Sequence, residues 1–454
     1  MELHEYLDTL SEQIRCKKAC PMIIEEIENH IHDQAEAYIK DGMEKDEAVR
    51  KAVLEMGDPV EAGVELDRVH RPRMQWELVI LAALLSAVGL VMQIIIFKTG
   101  CLSNDTNVTT VRDSFIINAV LNTFIGFVVI AAVCAVDYTF LGKHPVAVWW
   151  VGCISLLACS FIRNSLPYSL RFTFAYYIVT LMTPVFAAVV FFYRGKGMKG
   201  LLKCIVLYAV AILIVFSALL TTSGIVELSI AALFVLTISI LKGWFGEKKA
   251  GKLALIWVPA IALPGILIAS AFHASGGALL REYQAARIKA MFTQSGESYQ
   301  IKVIKEELDH IGLWGGKELP LESLPAIQND YVVTSMLTYF GVIFTVVVLG
   351  MIAYFLWKAF RLSFKQKNQM GSIIGLSCAF LLFVKSILYL FSNIAVFNVF
   401  AQMSMPFLSY GLGNTVVNGV LTGLLLSVYR NTDIISEKSI KPRYTFRFPV
   451  QKIS

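Results

Sequence analysis

Asp330 stands immediately before a long apolar run, and Lys385 falls near the middle of another. Asn393 follows on the same run as Lys385, Asn414 and Asn418 lie one helical turn apart on a third, and Glu227 sits near the end of a fourth. Polar groups at membrane depth or at its edge are costly, so they mark either function or a deliberate structural pairing. A carboxylate at the mouth of a partly dry cavity has a raised pKa, which suits a general base. The same Asp330 also has a plain structural use as the cap of a helix N-terminus, where an acid is favoured. Lys385 likewise has two readings. It pairs with Asp330 or a substrate phosphate, or it is a snorkelling lysine or half of a buried structural pair.

The elements that must position these groups follow from composition. The 454 residues are 56% hydrophobic and only 16% charged, against norms of roughly 45–50% and about 25%. Mean hydropathy is +0.63. Soluble cores cannot hide that much apolar surface, so an all-α polytopic membrane protein is expected. Ten stretches approach the length of about 20 residues needed to cross a bilayer: 75–97, 115–138, 146–162, 172–193, 200–221, 224–241, 253–272, 332–356, 370–396 and 404–429. The third and sixth are short, and Pro259 and Pro264 predict a kink in the seventh.

Lysine and arginine placement sets the orientation. Cations cluster at Arg194 to Lys203, Lys242 to Lys252 and Lys358 to Lys367, and again in the basic tail 433–454. These belong inside, as do both termini. The long connection 273–331 then lies outside, with helix-like apolar spacing at Ala285–Phe292 and Tyr299–Ile311. Asp330 falls at the end of this connection, just before the eighth span and at the outer edge of the membrane.

Residues 1–74 hold 10 Lys/Arg against 18 Asp/Glu, a net −8, whereas the remainder holds 30 against 16. This acidic head lacks an apolar run, so it does not read as a signal peptide. Leu3, Leu7, Leu10 and Ile14, then Ile24, Ile27, Ile31 and Tyr38, recur at helical spacing. A third helix is expected over Glu44–Met56, closed by Gly57-Asp58-Pro59, and a short fourth runs toward His70. Residues 1–70 therefore read as a small helical module ahead of a membrane domain at 75–432. Cys16 and Cys20 lack the further ligands of a zinc site, and Glu26, His30 and His32 read as a solvated helix face. No phosphate-cradling loop, zinc cluster or nucleophile elbow is present, and no basic aromatic stripe suggests nucleic acid. Gly312-Leu-Trp-Gly-Gly316 reads as a turn.

Two resemblances attach to particular residues. Glu25-Glu-Ile-Glu-Asn-His-Ile-His-Asp33, followed by Lys40-Asp-Gly-Met-Glu-Lys-Asp-Glu-Ala-Val-Arg50, resembles the HAAS or permease-prefix module, which implies a cytoplasmic interaction or regulatory role with a partner the sequence does not name. The run from Arg287 to Arg430 resembles the C-terminal half of the SEDS family, the FtsW, RodA and SpoVE proteins. Tyr299-Gln300 and Gly312-Leu-Trp-Gly-Gly-Lys317 resemble its YQ and GGLFGKG elements. Leu324-Pro-Ala-Ile-Gln-Asn-Asp330-Tyr resembles LPE-x-HTDF, and Gly341 falls at the spacing of the EELGF glycine. Ser392-Asn393-Ile394 resembles part of QxxxNIG, and Met405-Pro-Phe-Leu-Ser-Tyr-Gly411 resembles LPFISYGG.

That resemblance implies a ten-span enzyme of the bacterial cell membrane, a peptidoglycan glycosyltransferase that polymerises lipid II or another undecaprenyl-linked precursor at the outer face in wall synthesis, cell shape or division. Asp330 is then the catalytic base. Lys385, Asn393, Asn414, Ser409 and Tyr410 are the expected substrate-binding residues. Lys302, Lys305 and Lys317 either neutralise a diphosphate or sit among headgroups. A penicillin-binding transpeptidase is the implied partner, no cofactor is demanded, and a divalent cation is allowed as a counter-charge for pyrophosphate. The sequence also departs from the family pattern. Thr338 and Tyr339 replace its paired Glu, Tyr389 replaces the Gln of QxxxN, and Ser409-Tyr-Gly-Leu-Gly-Asn414 replaces SYGGSS. Arg171-Phe-Thr-Phe-Ala-Tyr-Tyr177 stands in the place of QPSE. These departures favour the alternative of a non-catalytic relative that keeps a lipid-binding or scaffold role.

Overall fold

A computed structural model describes residues 2–17, 19–72, 74–99, 106–161, 168–217, 222–272, 285, 289, 299–309, 311–315, 329–395 and 404–432. Among the described residues there are helices and no strand. The tail from 433 onward, Lys317 and most of the expected Ala285–Phe292 helix lie outside them.

The head consists of α1 (Leu3–Gln13), α2 (Cys20–Lys40), α3 (Lys45–Glu55) and α4 (Pro59–Val69). Apolar residues recurring at helical spacing put Tyr6, Leu10, Ile23, Ile31, Ala48 and Ala52 into one small core, separate from that of the membrane body. Asp58 caps α4 by accepting from the Val60 amide, with Pro59 in the first turn. Such a cap contributes about 1 kcal/mol. Asp67, buried on α4, accepts from the Arg15 amide and so ties the fourth helix to the end of the first. Glu26, His30 and His32 are exposed.

The body contains nine helices among the described residues that are long and apolar enough to cross a membrane. They are α5 (Trp76–Thr99), α6 (Thr106–Ala135), α9 (Tyr168–Phe192), α10 (Gly197–Ser217), α11 (Thr222–Leu241), α12 (Lys249–Phe272), α15 (Gly341–Phe364), α16 (Gln369–Asn393) and α17 (Leu412–Arg430). The expected short third span is α8 (Pro145–Phe161), preceded by a single turn, α7 (Thr139–Lys143). Two more helices, α13 (Tyr299–Leu308) and α14 (Val332–Tyr339), stand between α12 and α15. α12 runs through both Pro259 and Pro264 as one helix. α9 and α16 are the most enclosed spans and pack on each other in the middle of the bundle. α17 lies against α6 at backbone distance. A Cβ on Gly423 would sit 2.7 Å from the Val133 Cβ and 3.0 Å from the Ile130 carbonyl oxygen. Small residues drive such close helix contacts where lipid supplies no hydrophobic force.

The expected eighth span, 332–356, is corrected. The run is two helices, and the crossing helix starts only at Gly341. Gly341 has φ +83°, a left-handed conformation that stops α14 at Tyr339 and re-aims the chain. It also faces Gly315, whose φ is +77°. A Cβ on Gly341 would meet the Gly315 amide nitrogen at 2.2 Å, and one on Gly315 would meet the Tyr339 carbonyl oxygen at 2.3 Å. Because neither glycine carries a side chain, the Gly312–Gly315 turn closes on the top of α15, where Val342 and Ile343 donate to the carbonyls of Gly312 and Leu313. Gly341→Val combines a forbidden conformation with a backbone clash. It is expected to lower the unfolding midpoint in detergent by several degrees and to open residues 299–315 to protease, because such strain alone costs of order 1–3 kcal/mol.

Candidate functional site

Asp330 occupies the turn that leads into α14 and is half-buried. The cap position of that helix belongs to Tyr331, and no side chain caps it. The helix-cap use of Asp330 is therefore corrected; among the described residues its carboxylate accepts from no backbone amide. Its Oδ1 accepts a hydrogen bond of 2.9 Å from Nδ2 of Asn329. Loss of solvation raises the pKa of this carboxyl from its ordinary 3.8 to about 6.

The backbone on either side of the carboxylate is fastened to α16. Asn393 is fully buried at the end of that helix. Its Nδ2 donates to the carbonyls of Asp330 and Tyr389, both at 3.0 Å, and its Oδ1 accepts from the amide and the hydroxyl of Thr334. All polar atoms of Asn393 thus engage protein groups. One turn earlier, the hydroxyl of Tyr389 donates to the Asn329 carbonyl and accepts from the Val332 amide, each at 2.9 Å. A second set of bonds comes from the opposite side. Ser409 Oγ donates to the Asn329 carbonyl at 2.9 Å and accepts from the Met405 amide. Asn414, in the first turn of α17, donates to Asn329 Oδ1 at 3.0 Å.

The turn that supplies Ser409 is held by α5. Gly89 makes room for the Phe407 carbonyl, which a Cβ would meet at 2.3 Å, and Gln93 Nε2 donates to the Leu408 carbonyl at 2.8 Å. Tyr410 packs edge-on against Phe97 and Phe115. A small cavity of about 50 Å³ opens between α5, α6 and the start of α17, lined by Gln93, Asn122, Thr123, Ser409, Tyr410 and Asn418 among others; Asp330 is not part of its lining. In the connection between α12 and α14, α13 buries Val303 and Ile304 in a small cluster with Ile96, Tyr331 and Ala395. The same helix leaves Lys302 and Lys305 on its exposed face. Lys317 lies outside the described residues.

Lys385 is elsewhere, and its expected pairing with Asp330 is corrected. It is 1% exposed in the middle of α16, where its charge is attracted by Glu227 of α11, which is wholly buried. The Lys385 ammonium donates to Asn418 Oδ1 at 3.3 Å and lies 5.6 Å from the centre of the Tyr176 ring. Tyr176 in turn donates to Glu227 Oε1 at 2.8 Å. Four spans, α9, α11, α16 and α17, thus share one buried polar network. Asn329 and this Glu227 partnership escaped sequence reasoning, because spacing along the chain does not reveal which of several buried polar groups face each other. Among the described residues no three His, Cys, Asp or Glu side chains converge as a metal site.

Comparison with known proteins adds a family and a fold. Residues 75–434 match the FtsW/RodA/SpoVE family, described as cell cycle protein. Over 122 residues the chain is 26% identical to a probable peptidoglycan glycosyltransferase FtsW of Thioalkalivibrio sp. (strain K90mix), a match that spans 26% of this chain and 30% of that protein. A chain from a peptidoglycan synthase complex, described as coordinating polymerization and crosslinking, superposes with a TM-score of 0.60 at 15% identity, over 79% of this chain and 98% of its own. That likeness shows a shared fold. The Thermus thermophilus rod shape determining protein RodA superposes over 79% of this chain and 97% of its own, with a TM-score of 0.49 at 14% identity.

Proposed function

Because the chain belongs to the FtsW/RodA/SpoVE family, we propose that it is a peptidoglycan glycosyltransferase that extends glycan strands from a lipid-linked precursor at the outer face of the cell membrane. One observation supports this most: a half-buried carboxyl group, its pKa pushed up to about 6, stands on a turn fastened from two sides and is not used as a helix cap. In the proposed step the acceptor sugar hydroxyl gives its proton to Asp330 as its oxygen bonds to the donor's anomeric carbon. The bond from that carbon to the pyrophosphate breaks, and the lipid pyrophosphate leaves with the electron pair. Lys302, Lys305 and Lys317 are the cations offered to the diphosphate. Ser409, Tyr410, Asn414 and Asn393 shape the site around the turn.

The relative and the structural neighbour, named for peptidoglycan glycosyl transfer and for coupled polymerization and crosslinking, support the same reading and suggest a crosslinking transpeptidase as partner. The lysine and arginine distribution supports a cytoplasmic position for the acidic head and basic tail, where the head is suited to a regulatory contact. Purified protein incubated with lipid II is expected to yield glycan strands separable by gel electrophoresis. The second reading, lipid binding without catalysis, is favoured by the absence of Asp330 from the lining of the cavity beside Ser409 and Tyr410. It predicts that the same protein binds lipid II and forms no strands.

A further inference from the structure

Asn329 is the point where the fastenings of the carboxylate meet. Its carbonyl accepts from Tyr389 and Ser409, its side-chain Oδ1 accepts from Asn414, and its Nδ2 donates to Asp330 Oδ1. The orientation of the two amides is fixed by what stands at either end. Asn414 Nδ2 also faces the Tyr410 carbonyl at 3.5 Å, which can only accept. An ionised carboxylate can only accept as well. Between two acceptors the amides must run Tyr410 C=O, Asn414 N–H, Asn414 N–H to Asn329 O, Asn329 N–H to Asp330. Flipping Asn329 alone would set donor against donor at Asn414 and acceptor against acceptor at Asp330.

We infer that Asn329 is a positioning residue, which with Asn414 occupies Oδ1 of Asp330 as a hydrogen-bond acceptor and so reserves Oδ2 as the oxygen that takes the proton. A proton on Oδ1 would point at the Asn329 N–H and break the relay, whereas one on Oδ2 leaves every bond intact. The arrangement also ties the carboxylate to the first turn of α17, so the rotamer of Asp330 is set by a different span from the one that holds its backbone. Tyr389 and Asn414, two positions at which this sequence departs from the motifs it resembles, both bond to Asn329.

This inference rests on the glycosyltransferase reading, and the test separates the two. The full-length protein and its Asn329→Leu and Asn414→Leu variants are assayed for initial rates of lipid II polymerisation across pH and across substrate concentration. Both leucines are close in volume and remove the amide while the backbone bonds of Asn329 remain. Loss of a charge-assisted hydrogen bond is expected to lower kcat about tenfold and to move the acidic limb of the pH profile up by about one unit, with KM for lipid II little changed. Asn414→Leu should shift the limb in the same direction by less. Tyr389 also interacts electrostatically with Asp330, and it is unchanged in both variants. An unmoved limb, or a change confined to KM, overturns the inference while leaving the enzyme reading intact. Absence of strands from the unsubstituted protein overturns the reading itself. Should Asn329→Leu fail to fold, the limb of Asn414→Leu decides: a shift supports the relay and no shift overturns it.

Discussion

Asp330→Ala is expected to slow glycan-strand formation by roughly a hundred- to ten-thousand-fold, the range associated with losing a positioned general base. Asp330→Asn should lose as much while keeping the bond from Asn329, because an amide oxygen still accepts at Oδ1 but takes no proton at neutral pH. The pH dependence follows from the same group. Below about 6 the carboxyl is protonated and has nothing to offer the acceptor hydroxyl, so the rate should fall as pH drops through about 6. An exposed aspartate would put that limb near pH ~3.9. Stability runs the other way. A folded-state pKa raised above the ordinary 3.8 means that the native chain binds more protons than the unfolded one across that interval. Ionising Asp330 therefore costs stability as pH rises from about 4 to about 6. Opposite slopes for rate and stability in one window make the assignment easy to test with initial rates and thermal unfolding on the same samples. An Asp330→Ala variant as active as its parent would end the catalytic role of this residue.

The second large effect concerns folding. Lys385→Met removes the cation that lies over the Tyr176 ring, whose hydroxyl bonds to the wholly buried Glu227, and so takes away the electrostatic attraction on that carboxyl group. Breaking a direct buried ion pair costs on the order of 3–5 kcal/mol, an upper bound for two groups that attract across Tyr176, whereas replacing both members by neutral groups is often close to harmless. The expected result is a strong drop in folded yield and unfolding midpoint for Lys385→Met. Most of both should return in the double variant Glu227→Gln/Lys385→Met, where Tyr176 still has an amide oxygen to bond. Size-exclusion profiles and thermal unfolding in detergent measure both. A double variant no better than the single one would show that the two residues act independently. Because Lys385 bonds to Asn418 and not to the Asp330 turn, polymerisation per folded molecule should change little in the double variant.

Hydrophobic run length made most of the architecture readable in advance, because each span must satisfy its backbone internally and so announces itself as an apolar stretch. The short α8 and the helical spacing of α13 were legible for the same reason. The break at Gly341 was not. Residues 332–356 are apolar on both sides of it, and only the approach of Gly315 from another part of the chain explains why a left-handed residue is needed there. Asp330, Asn393, Ser409 and Asn414 stood out as polar residues in apolar surroundings or within motif-like runs, and they do meet at one turn. Lys385 stood out equally and belongs to another network. Burial cost identifies groups that require a partner; it does not say which partner, since that depends on how helices rotate about their axes. Asn329 drew no attention, because an asparagine next to an aspartate in a connecting segment is ordinary until its four partners are seen.

The Glu227–Lys385 pairing has a consequence for how the protein is made. About 160 residues separate the two, so at ribosomal rates of roughly 5–20 residues per second the sixth crossing waits some 10–30 s for the ninth. Throughout that interval the acid's hydrogen-bond partners among the described residues are Tyr176 and Thr180, synthesised before it on α9. The nascent half-bundle therefore enters the lipid with an electrostatic debt, and insertion of the C-terminal helices is the event that discharges it.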